Sequence, residues 1–378
     1  MTDSGIGVVV EEERSGDDER GHIDEQVGYV VADGSSTLDG EGEVGVLQSA
    51  HTGSGNWPTE SLDGTYTDPV VVAGPLSYQD GDPAHVRLKE VGGGPGSDSF
   101  QWKIEEWDYQ DGSHARERPG YLVMEDGSHT IGGTRMEAGK IDTGDGWQTV
   151  SFDQSFGGRS SPVVLTTVQT YNGGDPVVTR VKNVTSEGFE VRVQEEEALG
   201  SHTTETIGYV AIEAGEVSSS SAQLTAGQTA EEVEGFGGGE DDEPLWHGIS
   251  LPKGPGYQSY VVLANQQTAN GGDTAGLRQR GAIGQQVDLK YWNILKPGGE
   301  VIGRKTEGGG SRYYMKDHLG SIRVVIDGSP DWVEQRDYYP FGLPMPGRYE
   351  KGSPPTKEDY TGHVKDEATG LHYAGARY

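Results

Sequence analysis

The stretch SPVVLTTVQTYNGGDPVVTR (161–180) decides the fold, because the chain contains two further copies that align with it without a gap. These copies are DPVVVAGPLSYQDGDPAHVR (68–87) and SYVVLANQQTANGGDTAGLR (259–278). In most of the three copies, two short runs of aliphatic and β-branched residues are joined by a segment rich in Gly, Asp and Asn. This pattern is typical of two strands connected by a turn. The repeat length is about 90 residues, so the sequence predicts tandem copies of one small β-domain.

A second repeated block has the spacing His-x-x-Glu-x-x-Gly-Tyr, and it reads GHIDEQVGYVV (21–31), SHARERPGYLV (113–123) and SHTTETIGYVA (201–211). An alternating strand pattern precedes each block, as GIGVVVEEE (5–13), SFQWKIEEW (99–107) and GFEVRVQEE (188–196). No long window has the apolar period of a helix. Five to seven short strands in about 90 residues predict an antiparallel β-sandwich, so the predicted fold class is all-β.

The order of the half-repeats predicts six segments. They are a partial repeat (1–40), two complete repeats (41–141 and 142–217), an acidic Gly/Ser linker (218–243), a second partial repeat (244–294) and a C-terminal β-rich domain (295–378). The first partial repeat has the His-Glu-Gly-Tyr block that the second lacks. VDLKYWN (287–293) is a candidate for the next strand of the second.

Three explanations of these complementary halves are open. In the first, subunits polymerise head to tail, and the start of one subunit completes the last repeat of its neighbour. In the second, the chain is a fragment of a longer protein. In the third, the two halves close one repeat within a single chain. The first explanation makes a second copy of the chain the predicted main partner.

Charge is distributed unevenly along the 378 residues. The net charge is −32, and because residues 287–378 carry 13 basic and 13 acidic side chains, residues 1–286 carry all of it. This step predicts a domain boundary near residue 286. An acidic surface repels nucleic acid, because binding there requires neutralisation of phosphate by Lys and Arg. The acidic excess favours a protein that works in high salt, where screening relieves the repulsion among its own carboxylates, or one that collects cations.

Several classes of protein are excluded by composition. The chain has no cysteine, which excludes disulfide scaffolds, thiolate zinc sites and cysteine catalysis. Its longest purely aliphatic runs have three residues, so membrane insertion is not expected. No signal peptide is recognisable at its start. Asp317-His318 and Gly320-Ser321 lack partners at the positions of a catalytic triad. We therefore predict a non-enzymatic protein without a cofactor.

Candidate ligand-binding residues are the polar positions that the repeats share. The His-Glu pairs could hold a metal ion or sugar hydroxyls, and the alternative is a structural role in the turn before the last strand, with the following tyrosine in the core. The Asp-Arg pairs could contact a cation such as calcium or a sugar, or Asp could cap a turn that Arg cross-links. The residues concerned are His22, Glu25, His114, Glu117, His202, Glu205, Asp82, Arg87, Asp175, Arg180, Asp273 and Arg278.

One tryptophan precedes each copy of the first block, at Trp57, Trp147 and Trp246. Such a side chain could stack on a pyranose ring. A single tryptophan per sandwich is more often part of the core, which is the interpretation we favour.

The second complete repeat resembles an H-type lectin domain, through SPVVLTTV (161–168), RVKNVTSEGFEVRV (180–193) and IGYVAIEAG (207–215). The resemblance covers about 60 residues of each copy, mostly strand and turn positions. It implies a six-stranded antiparallel sandwich that often trimerises and binds N-acetylgalactosamine-type sugars. Tyr29, Tyr121 and Tyr209 stand where that family usually has tryptophan.

The C-terminal part resembles the RHS repeat-associated core domain. The motifs are YYMKDHLGSIRVVID (313–327), RDYYPFGLPMPGR (336–348) and YTGHVKDEATGLHYAGARY (360–378). The resemblance implies a β-rich, shell-like secreted or surface protein that typically precedes a variable C-terminal region.

These observations predict an extracellular or cell-surface structural or adhesive protein that assembles into a filament through its split repeat. One alternative is a lectin-like adhesin that binds surface glycans. Another is the scaffold part of an RHS-type polymorphic toxin without its effector. Neither nucleic acid nor a membrane is an expected partner.

Overall fold

Short aliphatic runs bounded by Gly, Asp and Pro become strands throughout the chain, as their pattern predicts. The structure is a computed structural model. It describes residues 5–16, 21–47, 52–53, 56–92, 98–157, 161–198, 200–229, 233–236, 244–250 and 260–280, and strands between 291 and 373. Two compact units are present, Met1–Gly284 and Gln285–Tyr378, which divide close to the step in charge. No helix occurs among the described residues, so the all-β prediction is confirmed.

The described residues of the first unit form 24 strands. In chain order they are β1 (Gly5–Glu12), β2 (Val27–Ala32), β3 (Ser36–Leu38), β4 (Gly42–Val46), β5 (Thr52–Gly53), β6 (Thr59–Ser61), β7 (Pro69–Ala73), β8 (Leu76–Ser77), β9 (Ala84–Lys89), β10 (Ser99–Glu106), β11 (Ser113–His114), β12 (Gly120–Glu125), β13 (Gly127–Ile131), β14 (Thr134–Thr143), β15 (Gln148–Ser151), β16 (Val163–Val168), β17 (Val177–Lys182), β18 (Gly188–Glu195), β19 (Glu205–Ile212), β20 (Gly215–Ser218), β21 (Gln223–Gln228), β22 (His247–Ser250), β23 (Val261–Gln266) and β24 (Ala275–Arg280).

Most of these strands form three sandwiches, each with a four-stranded and a three-stranded antiparallel sheet. Repeat A (residues 36–125) has the strand orders β3-β4-β12-β7 and β6-β10-β9. Repeat B (127–212) has β13-β14-β19-β16 and β15-β18-β17. Repeat C has β20-β21-β2-β23 and β22-β1-β24, with β8 added in parallel at the edge. Because the strand order is the same in all three, equivalent side chains occupy equivalent places.

Repeat C is assembled from two distant parts of the chain, residues 5–32 and 215–280. Strand β1 pairs antiparallel with β24, so that Val9 faces Arg278, and β2 lies between β21 and β23. Closure within one chain is therefore the arrangement that the structure has. This is the third explanation of the complementary halves, and head-to-tail assembly through the same segments stays a prediction.

Two segment boundaries also differ from the prediction. Strand β21 lies inside the expected linker 218–243 and pairs with β2. The linker composition is misleading because Ser218 ends β20 and Ser219–Ser221 lie in the turn before β21. Strand β3 lies in the segment predicted to end at residue 40, but it pairs with β4 of repeat A. Each repeat therefore begins with a hairpin that the first repeated block does not contain.

The three four-stranded sheets pack against one another around a shared apolar core. Each repeat contributes fully buried side chains to it, for example Leu122 from A, Val210 from B and Val30 from C. Each sandwich has a second core of its own between its two sheets. Burial of both faces explains why β7, β16 and β23 begin with continuous apolar runs instead of alternating ones.

A tyrosine of the His-Glu-Gly-Tyr block lies across a glycine of the adjacent strand in every repeat. Tyr209 faces Gly139 in the ladder of β14 and β19, and its hydroxyl donates to Glu137. A Cβ atom on Gly139 would lie 2.5 Å from the Tyr209 hydroxyl oxygen. The equivalent pairs are Tyr121 with Gly45 and Tyr29 with Gly227.

We expect Gly139→Ala to lower the free energy of unfolding by about 1–3 kcal/mol, because the added methyl group displaces the buried Tyr209 ring. Thermal unfolding of both proteins in high salt measures the effect. Gly146→Ala is the matched control, since a Cβ there meets no atom within 4 Å. Equal loss in both variants would show that the ring does not constrain Gly139.

The second unit contains a six-stranded antiparallel sheet in the order β25 to β30 and a two-stranded one. The strands are β25 (Tyr291–Leu295), β26 (Val301–Thr306), β27 (Ser311–Lys316), β28 (Ile322–Ile326), β29 (Trp332–Tyr338), β30 (Pro344–Glu350), β31 (Val364–Lys365) and β32 (His372–Tyr373). Strand β25 pairs with β26, so the expectation that 287–293 supplies the next strand of repeat C is wrong. Residues 317–321 lie outside the described residues.

Candidate functional site

The shared polar residues converge on the junctions between repeats, and the cluster around Glu205 shows how. Glu205 begins β19 and is fully buried. Its carboxylate accepts hydrogen bonds from the backbone N–H groups of Asn172 and Gly173, each at 3.0 Å, and from the Thr170 hydroxyl. The carboxylate therefore fixes the loop that connects β16 to β17.

An arginine from the preceding repeat completes each cluster. Arg87 of repeat A lies 2.6 Å from Glu205 of B, and Arg180 of B lies 2.9 Å from Glu25 of C. Arg278 of C lies 3.1 Å from Glu117 of A, so each repeat contacts both of the others through such a pair. We call these three Arg-Glu contacts, together with the histidines beside them, the ion-pair ring.

Each histidine of the ring bridges two carboxylates. His202 contacts Glu205 through Nε2 at 3.0 Å and Glu195 through Nδ1 at 2.6 Å. The equivalent contacts join His22 to Glu25 and Glu12, and His114 to Glu117 and Glu106. The second carboxylate ends the alternating strand β18, β1 or β10, so the histidine links both sheets of its sandwich.

Hydrogen bonds favour the charged forms of Glu205, His202 and His22 despite burial. Burial opposes ionisation of Glu205, but hydrogen bonds from His202, the loop backbone and Thr170 lower its pKa from 4.5 to about 2. Burial likewise opposes protonation of His202 and His22. Their hydrogen bonds to two carboxylates nevertheless raise both histidine pKa values above 6.5.

The stability of the first unit should therefore fall at both ends of the pH range. A lowered carboxyl pKa gives Glu205 a contribution that is present above pH 4.5 and is lost as the pH falls through about 2. The raised pKa gives His202 a contribution that is present below pH 6.5 and is lost as the pH rises through the folded value. Thermal unfolding across this range tests both limbs.

The variant His202→Gln separates the two limbs, because it should weaken the alkaline loss and keep the part of the acid loss that the loop backbone and Thr170 produce. His129→Gln is the control, since His129 pairs with the exposed Glu41 outside the ring. A melting temperature that stays constant from pH 6.5 upward would contradict the assignment.

The three aspartates do not pair with the arginine of their own copy through their carboxylates. Instead, the backbone carbonyl of Asp273 accepts a hydrogen bond from Arg180, and that of Asp82 accepts one from Arg278. Arg87 contacts the Thr170 carbonyl in the same way. The predicted cross-link within each copy is thus replaced by one to the next repeat.

Burial gives the ring an evident structural function. The histidine, glutamate and arginine side chains are at most 1% exposed. They hold the repeats together and leave no face of the ring in solvent. Binding of a ligand by these residues stays a prediction.

The tryptophans are not in the core, in contrast to the favoured interpretation. Trp57, Trp147 and Trp246 are half-buried, and cationic side chains cover their rings. Lys182 lies 4.1 Å from the Trp147 ring, and Arg280 lies 4.6 Å from that of Trp246. The buried tryptophans among the described residues are Trp102, in the alternating strand β10, and Trp107, which follows that strand.

Sequence reasoning missed an acidic cluster between repeats B and C. The carboxylates of Glu12, Glu197 and Asp273 lie within 4.8 Å of one another. Burial and the charges of Asp273, Glu13 and Glu12 raise the pKa of Glu197 to about 7. The runs Glu11–Glu13 and Glu195–Glu197, which end equivalent strands, are the signal that could have revealed it.

Comparison with known proteins gives one informative similarity. The chain is 34% identical over 231 residues to halomucin of Haloquadratum walsbyi. The match covers 57% of this chain but 2% of halomucin, so the chain spans a very small part of that relative. No protein-family model matches the chain, and no solved structure matches it. Within the described residues, no helix has the length and apolar character needed to cross a membrane.

Proposed function

We propose that this chain is a non-enzymatic structural module of an extracellular or cell-surface protein that works in concentrated salt. The ion-pair ring carries the proposal, because the arginine and glutamate side chains that the repeats share form contacts between the three sandwiches. The similarity to halomucin, whose name describes a mucin of a salt-loving organism, supports the location and the salt. The resemblance to the RHS core agrees with a secreted or surface protein.

The acidic excess of residues 1–286 supports the same environment. Forty-eight acidic side chains against 16 basic ones in this segment produce strong self-repulsion at low ionic strength. Salt at molar concentration shortens the screening length to about 3 Å and removes most of that repulsion. The ring is shielded from solvent, so its ion pairs keep their strength under the same conditions.

A salt series of thermal unfolding experiments tests this proposal. We expect the melting temperature to rise steeply between about 0.1 M and about 3 M sodium chloride, because salt screens the repulsion between surface carboxylates. Potassium chloride at equal ionic strength should act similarly. A melting temperature that is constant or falls with salt would contradict a module adapted to brine.

Glycan binding is a second candidate function. Trp57 and Tyr171 meet edge to face between repeats A and B, with 5.0 Å between ring centroids, and both are partly exposed. Lys89 and Lys103 lie over the Trp57 ring, so a sugar would have to displace a cation to stack there. Glycan-array binding that free sugar abolishes, and that Tyr171→Ala removes, would favour this function over a purely structural one.

A further inference from the structure

A cavity of about 280 Å³ lies between repeats A and B, beside His114 of the ion-pair ring. The end of β10 and the residues after it form one wall, and the loop that leads to β17 forms the other. The chemically important lining residues are Glu106, Asp108, Asp111, Trp107, Lys103 and Tyr171. The volume exceeds that of a bare metal ion and accommodates one with several water molecules.

Glu106 is the feature that indicates a ligand. Its side chain is 4% exposed, and it lines the cavity. One carboxylate oxygen, Oε1, contacts His114 at 3.1 Å, but Oε2 is buried and has no hydrogen-bond partner among the described residues. Buried carboxylate oxygens nearly always have a donor or a cation beside them.

The charges around the cavity favour a cation. Partial burial of the largely exposed Asp108, and then the charges of Asp175 and Glu105, raise the pKa of its carboxyl group. Burial and the neighbouring Asp108, Glu13 and Asp175 carboxylates raise the pKa of Glu196 to about 7. The charge of Lys103 opposes this rise for Asp108, but its ammonium group is paired with Glu105 at 2.6 Å. The carboxylates of Asp108, Asp175 and Glu196 therefore repel one another, and the buried Oε2 of Glu106 has no hydrogen-bond donor beside it among the described residues.

We propose that this cavity binds a hydrated divalent cation between repeats A and B, with Glu106 and Asp108 as its carboxylate partners. The carboxylates lining it do not form a group of three within 4.8 Å of one another, unlike Glu12, Glu197 and Asp273. The ion therefore keeps part of its water shell, as Mg²⁺ commonly does when it binds through one or two carboxylates. A bound cation would neutralise both repeats at their junction.

Titration calorimetry of the full chain with magnesium chloride, in molar sodium chloride, tests the proposal. We expect Glu106→Gln to weaken one binding event about tenfold or more, since it removes charge and keeps the side-chain shape. Glu195→Gln is the matched control, because Glu195 holds His202 as Glu106 holds His114 but does not line the cavity. Binding at the acidic cluster between B and C would persist in both variants.

Asp108→Asn is the second variant, and because Asp108 is exposed its substitution should leave folding intact. It should weaken the same event as Glu106→Gln. Mg²⁺ should also raise the melting temperature of the unaltered protein and of Glu195→Gln more than that of Glu106→Gln. Equal Mg²⁺ affinity and stoichiometry in all the proteins would overturn the proposal, as would binding of N-acetylgalactosamine in the cavity without any effect of Mg²⁺.

Discussion

Glu25→Ala should destabilise the first unit by about 3–5 kcal/mol, because it leaves the guanidinium group of Arg180 buried without a carboxylate. Arg180 is fully buried, and among the described residues Glu25 is the carboxylate within 4 Å of it. The substitution also removes the acceptor for Asn270 N–H and for the Thr268 hydroxyl. Several buried donors therefore lose their partner together.

The equivalent change in repeat B should have a smaller effect. Arg87 retains Glu105 at 3.3 Å after Glu205→Ala, whereas Arg180 has the neutral Gln194 at the position equivalent to Glu105. Glu190→Ala is a surface control that removes a pair with Lys182 at 3.9 Å, and it should cost less than about 1 kcal/mol. Denaturant unfolding of the three variants at several salt concentrations gives the order of their losses in stability.

Replacing both members of the pair distinguishes an unpaired charge from a lost contact. If the penalty arises from the buried charge, Arg180→Met combined with Glu25→Gln should recover part of the stability that Glu25→Ala removes. A double variant that is less stable than the single one would show instead that the pair itself holds B and C together.

The sequence predicts the strands well because each repeat supplies its own local evidence. The run Val163–Val168 and the alternation of Gly188–Glu195 occur in equivalent copies, and both become strands. Burial of the first run on both faces follows from packing among three sheets, which the sequence of one repeat does not display. The pattern therefore predicts the strand but not its neighbours.

The partners of the polar residues were harder to predict. Spacing within one copy suggests that Arg180 serves Asp175, five residues before it, whereas the structure pairs Arg180 with Glu25, far away in sequence. The histidine and glutamate of one block do meet, as in His202 with Glu205. Contacts within a block could thus be inferred from the sequence, while contacts between repeats required their arrangement.

Removal of residues 1–32 should unfold repeat C. The deletion takes away β1 and β2, which contribute Val8, Val10, Val27 and Val31 to the core of that repeat. Each fully buried aliphatic side chain contributes about 1.5–3 kcal/mol. The sum is comparable with the whole stability of a typical domain, about 5–15 kcal/mol. Glu25, the partner of Arg180, is lost as well.

Hydrogen exchange measures the outcome segment by segment. Backbone amides of β23 and β24 should lose protection in the truncated protein, because β2 and β1 are their partners. The ladders of repeat B between β14 and β19 should keep more of theirs, since both strands are present. Removal of residues 1–4 alone is the control. Undiminished protection of β24 would contradict closure by β1.

Adding residues 1–32 back as a separate polypeptide should restore protection. The truncation leaves the edges of β23 and β24 unpaired, so the added polypeptide can pair with them. If residues 1–32 of one whole chain paired with β23 and β24 of another, the chains would exchange these segments and form the filament that the split repeat suggests. Only residues 33–35 connect β2 to β3, and short connections of this kind favour exchange when they are strained. Sedimentation of the intact chain in high salt decides between the two forms: a 40.5 kDa species has closed its own repeat, whereas larger species that the truncation abolishes have shared it.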